Sequence, residues 1–157
     1  MTAISFKDVG VKGFKSQDVL NRNRTFLPIG IKTPVELDYS GVGLFKMHTD
    51  IKEQIADNLR NLILTNWGER LGNYFFGSNL KPLVVDFSHK EDFDNEAMLR
   101  INTAITKWMP FVLPVAFESY FDRINNDSTG IDKITLVYSV PTANITNAKL
   151  EVTLFVI

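Results

Sequence analysis

The chain of 157 residues suits one domain that buries roughly 70% of its extended surface on folding, without a covalent staple. With 45% apolar and 22% charged residues, a formal charge of -1 and no cysteine, it falls in the ordinary globular range. That composition excludes disulfide scaffolds, thiolate metal sites and cysteine nucleophiles, and the lack of a charged-then-apolar start or of an apolar run near about 18 residues predicts neither signal peptide nor membrane span.

Charge is unevenly placed. Residues 1–33 carry six basic side chains (Lys7, Lys12, Lys15, Arg22, Arg24 and Lys32) against Asp8 and Asp18, whereas the remainder carries eleven basic and sixteen acidic ones. A basic arm on an acidic body either lies back on its own domain or reaches an acidic neighbour. Glycines at 10, 13, 30, 41 and 43, with Pro28 and Pro34, break residues 1–47 into short pieces. An extended N-terminal arm with isolated strands or turns is expected there, followed by one domain over 48–157.

The first helix is signalled at Asp50. Asp50 and Glu53 have capping-box spacing, and Ile51, Ile55, Leu59, Leu62 and Ile63 then share one face, with Gly68 available as a left-handed stop. "LKPLVVDF" (80–87) fits either a short strand or a helical turn. Ser88 with Glu91 opens a second helix that Phe93, Ala97, Ile101, Ala104, Ile105 and Trp108 continue and Pro110 closes. "FVLPVAFESYF" (111–121) reads as a strand with Pro114 at an edge or bulge. Ile134, Leu136, Tyr138 and Val140 alternate in the next strand; after the hairpin loop "PTANITN", Leu150, Val152, Leu154 and Val156 alternate in the last, with Phe155 and Ile157 opposite. The predicted fold class is α+β, two principal helices packed on an antiparallel sheet of about three strands.

Catalytic groups are sparse. His48 and His89, the two histidines, show no metal-ligand spacing and are expected as surface or cap residues. "GSN" at 77–79 is not a nucleophile elbow, and "GERLGNYFFG" is neither a dinucleotide fingerprint nor a Walker loop. A glycosidase would need Glu69 with Asp86, Glu91 or Asp92 at a set separation. A nucleic-acid module would stack bases on Tyr74, Phe75 and Phe76, against the acidic charge of the body. The stretch "LTNWGERLGNYFFGSNLKPLVVD" (64–86) is better explained as a corner: Gly68, Gly72 and Gly77 turn the chain, Trp67 covers the helix end, Arg70 offers a fork of donors, and Glu69 accepts amides or pairs with a partner's cation.

Within it, "LILTNWGERLGNYFFGSNL" puts Thr65, Gly68, Glu69, Arg70, Phe76 and Gly77 on the positions of a T-x-x-G-E-R … F-G pattern. In this motif and in the order of elements over 48–157, the chain resembles the small baseplate wedge proteins of contractile-tailed phages, the sheath-initiator family, which has a type VI secretion counterpart. "GIKTPV" (30–35) is similar to longer members. Members usually carry Glu-Pro-Arg after the second helix, where this chain has Met109, Pro110 and Phe111, so the contact with the helical core bundle of the wedge is expected to be mainly apolar. The resemblance implies a non-enzymatic virion component, assembled in the host cytoplasm, that needs no cofactor or metal. Its implied role is to link the wedge to the first sheath ring and template sheath assembly. The implied partners are other wedge proteins and the tail sheath protein, the latter by strand addition along Leu150, Val152, Leu154, Phe155, Val156 and Ile157. Some members are called tail lysozymes, but no activity is carried over, since Glu69 has no identified second carboxylate. The alternatives are a cell-wall glycosidase and a nucleic-acid-binding module.

Overall fold

The computed structural model describes residues 28–39, 44–86, 90–122 and 131–155. They fall into two compact units that meet in sequence between Gln54 and Ile55. In the first unit, the two-residue strands β1 (Gly30–Ile31) and β2 (Met47–His48) pair antiparallel, with Gly30 opposite His48. The ladder extends through the Lys32 N–H to the Lys46 carbonyl (3.0 Å), an isolated Leu37–Phe45 bridge and a Lys46–Glu36 ion pair at 2.6 Å. Of the predicted N-terminal arm, residues 1–27 and 40–43 lie outside the described residues. His48 corrects one expectation. Instead of lying at the surface it is only 4% exposed, and its Nδ1 sits 3.1 Å from Glu53 Oε2, so burial leaves the polar ring with a partner. His89 lies outside the described residues.

Helix α1 (Ile51–Leu64) starts where the capping signal places it, with Asp50 Oδ1 accepting the Lys52 N–H at 2.9 Å. Ile55, Leu59, Leu62 and Ile63 are buried, whereas Ile51 remains 45% exposed because the apolar stripe meets the core only from the second turn. The helix ends at Leu64, short of Gly68: the Thr65 hydroxyl and N–H both donate to the Asn61 carbonyl, at 2.5 and 3.1 Å. "LKPLVVDF" resolves to the helical alternative, α2 (Lys81–Asp86). Pro82 falls in its first turn, where the missing N–H removes no helix bond, and Asn66 Oδ1 accepts the Lys81 N–H at 3.1 Å. Helix α3 (Lys90–Trp108) buries Phe93, Ala97, Ile101, Ala104 and Ile105 and leaves Trp108 half-buried.

Three strands follow: β3 (Leu113–Asp122), β4 (Ile131–Val140) and β5 (Ile145–Phe155), antiparallel in the order β3-β4-β5. Pro114 lies on the β3 edge, with a register shift between Pro114 and Ala116, which satisfies both readings of that proline. A 3-10 turn at Pro141–Ala143 and a left-handed Asn144 (φ 52°) close the β4–β5 connection. Ile134, Leu136, Tyr138 and Val140 point inward with Leu150, Val152 and Leu154, and they share one core cluster with α1 and α3. Each fully buried aliphatic side chain contributes about 1.5–3 kcal/mol. The molecule thus has an α+β fold with two substantial helices and a small three-stranded antiparallel sheet.

Candidate docking interface

The corner between α1 and α2 is the C-terminal cap of α1 built from distant sequence. A helix leaves its last carbonyls unpaired. Here the returning Gly77-Ser78-Asn79 segment takes them: Ser78 N–H donates to the Leu62 carbonyl (3.1 Å), Ser78 Oγ to Ile63 (2.6 Å) and Asn79 N–H to Thr65 (3.3 Å). Gly77 lies at φ +105° against the helix end, where a Cβ would overlap the Thr65 carbonyl oxygen. Gly68 (φ +86°) donates to the Tyr74 carbonyl at 2.8 Å and shapes the loop rather than stopping the helix. Trp67 donates its indole N–H to the Gly77 carbonyl at 3.2 Å, which ties it to the returning segment.

Glu69 and Arg70 act differently from each other. The Glu69 carboxylate accepts the Asn66 backbone N–H (2.8 Å) and the Asn66 side-chain amide (2.9 Å), and these bonds hold its pKa below the usual carboxylate value. It lines a cleft of about 250 Å³ with Asn66, Lys81, Val84 and Leu154; Asp86 and Asp92 are not among the residues lining it. Arg70 stays exposed, its guanidinium stacked 3.7 Å from the Phe76 ring centre, with no carboxylate partner among the described residues. Phe76 in turn packs on Trp108 at 5.2 Å.

The fold brings part of the candidate set together. Arg70, Phe76, Met109 and Phe111 line one cleft of about 310 Å³ at the end of α3. Within that segment Met109 is 7% exposed and belongs to the core, while Pro110 and Phe111 face outward. The last-strand residues lie elsewhere: Leu150, Val152 and Leu154 are buried, so β5 offers outward its backbone edge rather than these side chains. Phe155 closes β5, and Val156 and Ile157 lie outside the described residues. Among the described residues β5 pairs only with β4, leaving its second edge without a neighbouring strand.

Three residues that the sequence does not mark as corner contacts hold the corner: Asn66, Asn79 and Arg100. Arg100 donates to the Asn79 carbonyl (2.8 Å) and to Glu96 (2.8 Å), tying α3 to the loop. The left-handed Asn79 (φ 53°) is of a residue type that tolerates that conformation, which is the one signal that pointed to it.

No family model matches the chain, and no curated protein matches it by sequence. Solved structures do match. A chain of the anti-feeding prophage baseplate, from its six-fold symmetrised cryo-EM structure, aligns with a TM-score of 0.54 at 18% identity, over 71% of this chain and 85% of its own. A candidate tail lysozyme from Geobacter sulfurreducens, solved by crystallography, gives 0.56 at 21% identity over 71% and 96%. The chain shares the fold of both. It is thereby distantly related in structure to baseplate and tail-lysozyme-fold proteins. Among the described residues, no helix is long and apolar enough to cross a membrane, and no group of three or more His, Asp or Glu side chains is placed to hold a metal ion.

Proposed function

We propose that this chain is a structural component of a contractile-tail baseplate wedge, and that it links the wedge to the first sheath ring and templates sheath assembly. The observation that carries the reading is the position of β5: among the described residues it is an edge strand, and its inward side chains are locked in the core. A strand held rigidly on one side with free N–H and carbonyl groups on the other is a template for strand addition. The opposite edge, β3, is blunted by Pro114 and the register shift after it, so the two edges are not equivalent. The baseplate fold supports the setting. The hydrogen bonds of Glu69 favour a scaffolding role, since an ionised carboxylate fastened to its own loop is a poor general acid.

Removing residues 149–157 is a poor test, because Leu150, Val152 and Leu154 leave the core with them. Hydrogen exchange on the intact chain avoids that. Mixing with purified sheath protein is expected to protect alternate amides of β5 and leave β3 unchanged. Sheath that polymerises on the chain while β5 exchange stays constant overturns the reading.

A further inference from the structure

We propose that the groove between the corner and the C-terminal half of α3 is a docking site for an acidic, apolar peptide segment of a protein partner. This surface shares no residue with β5, so it is independent of the sheath contact proposed above.

The groove has a volume of about 360 Å³, and its walls include Trp67, Phe75, Leu99, Lys107 and Trp108. Three of these are large and open to solvent: Trp67 is 47% exposed, Phe75 58% and Leu99 61%. Trp67 and Phe75 meet edge to face at 5.9 Å, so the aromatic wall is ordered by its own packing rather than being a loose set of side chains. Contiguous exposed aromatic and aliphatic surface beside a concavity is the composition of a protein-recognition site, with Trp a frequent anchor.

Charge selects the occupant. Glu96 and Arg100 also line the groove, but they pair with each other at 2.8 Å, and Arg100 spends a further donor on the Asn79 carbonyl. That leaves Lys107, whose Nζ lies 5.0 Å from the Trp108 ring centre and 5.8 Å from that of Phe75, with no carboxylate partner among the described residues. An ammonium without a carboxylate partner beside an apolar wall fits a segment that carries a carboxylate next to a large apolar side chain. A nucleic-acid strand fits worse. It needs several cations along its backbone, whereas this groove has one unpaired cation and holds the Glu96 carboxylate.

The chain provides its own reporter, since it contains only two tryptophans and both line this groove. The test is a fluorescence titration of the full chain with twelve-residue synthetic peptides that carry a leucine stripe flanked by Glu, the same stripe flanked by Lys, and a twelve-nucleotide oligothymidylate. The Glu-flanked peptide is expected to shift tryptophan emission and to bind at least about tenfold tighter than the Lys-flanked one. Lys107→Glu should invert that preference, and Phe75→Ala should weaken binding by about tenfold while the chain still unfolds cooperatively, because the side chain lies outside the buried core. The proposal is overturned if neither peptide shifts the emission at roughly millimolar concentration, if the two bind equally, or if the oligonucleotide alone binds.

Discussion

Asn66 grips Glu69 from two sides, through its backbone N–H and its side-chain amide, and both bonds favour the charged carboxylate. The folded pKa is therefore depressed below the reference value of 4.5. The stabilisation is fully present above the unfolded pKa and is lost as pH falls through the lower folded one. Glu69 is exposed, so solvent screening keeps the effect below about 1 kcal/mol. Replacing Glu69 with Gln is thus expected to lower stability slightly at pH 7, with the gap to wild type closing as pH drops below 4.5 in urea denaturation series. A gap that persists unchanged in acid would show that charge plays no part. The same variant addresses the glycosidase alternative: reducing ends released from peptidoglycan by the wild type and lost on this substitution would make Glu69 a catalytic group.

At the scale of elements, the corner depends on how closely its returning segment approaches α1. Gly72 and Gly77 both have positive φ, at +80° and +105°, yet a Cβ at Gly72 meets nothing within 4 Å, whereas one at Gly77 runs into the Thr65 carbonyl oxygen. Gly72→Ala should cost about 1 kcal/mol, the left-handed penalty alone. Gly77→Ala should cost roughly 3 kcal/mol or more, because backbone must move as well. Equal urea midpoints for the two variants would show that the helix end is not capped as described. This contrast also marks what was legible in the sequence. The glycines announced a turn, and the 3.6- and 2-residue periods announced the buried faces of α1, α3, β4 and β5, because those signals are local. The capping of α1 by the returning segment and the helicity of α2 were not legible: Ser78 and Asn66 decide them through hydrogen bonds that no periodic pattern encodes. Arg100 was invisible for the same reason, with its carbonyl partner at Asn79 on another element. Of the candidate site, the motif residues Arg70 and Phe76 could be picked out, but only folding brought them beside Phe111, 41 and 35 positions further along the chain.

For the whole molecule, the question is what the basic N-terminal segment contributes. Among the described residues, every member of the buried core cluster lies between Ile55 and Leu154. The described residues before the helix cap supply none of them, so the fold is expected to survive removal of the segment. A chain beginning at Thr49 keeps Asp50, which caps α1 through the Lys52 N–H, and keeps every core residue among those described. It is expected to unfold cooperatively, with a midpoint within about 4 °C of the full chain by scanning calorimetry. A broad transition or a larger drop would mean that the first 48 residues stabilise the core by contacts of their own. If the midpoint holds, the two routes open to a basic arm beside an acidic body separate cleanly. An arm that reaches an acidic neighbour makes incorporation of the full chain into baseplates weaken with salt, while the shortened chain incorporates poorly at every ionic strength. An arm that merely lies on its own domain leaves the two chains equal in assembly.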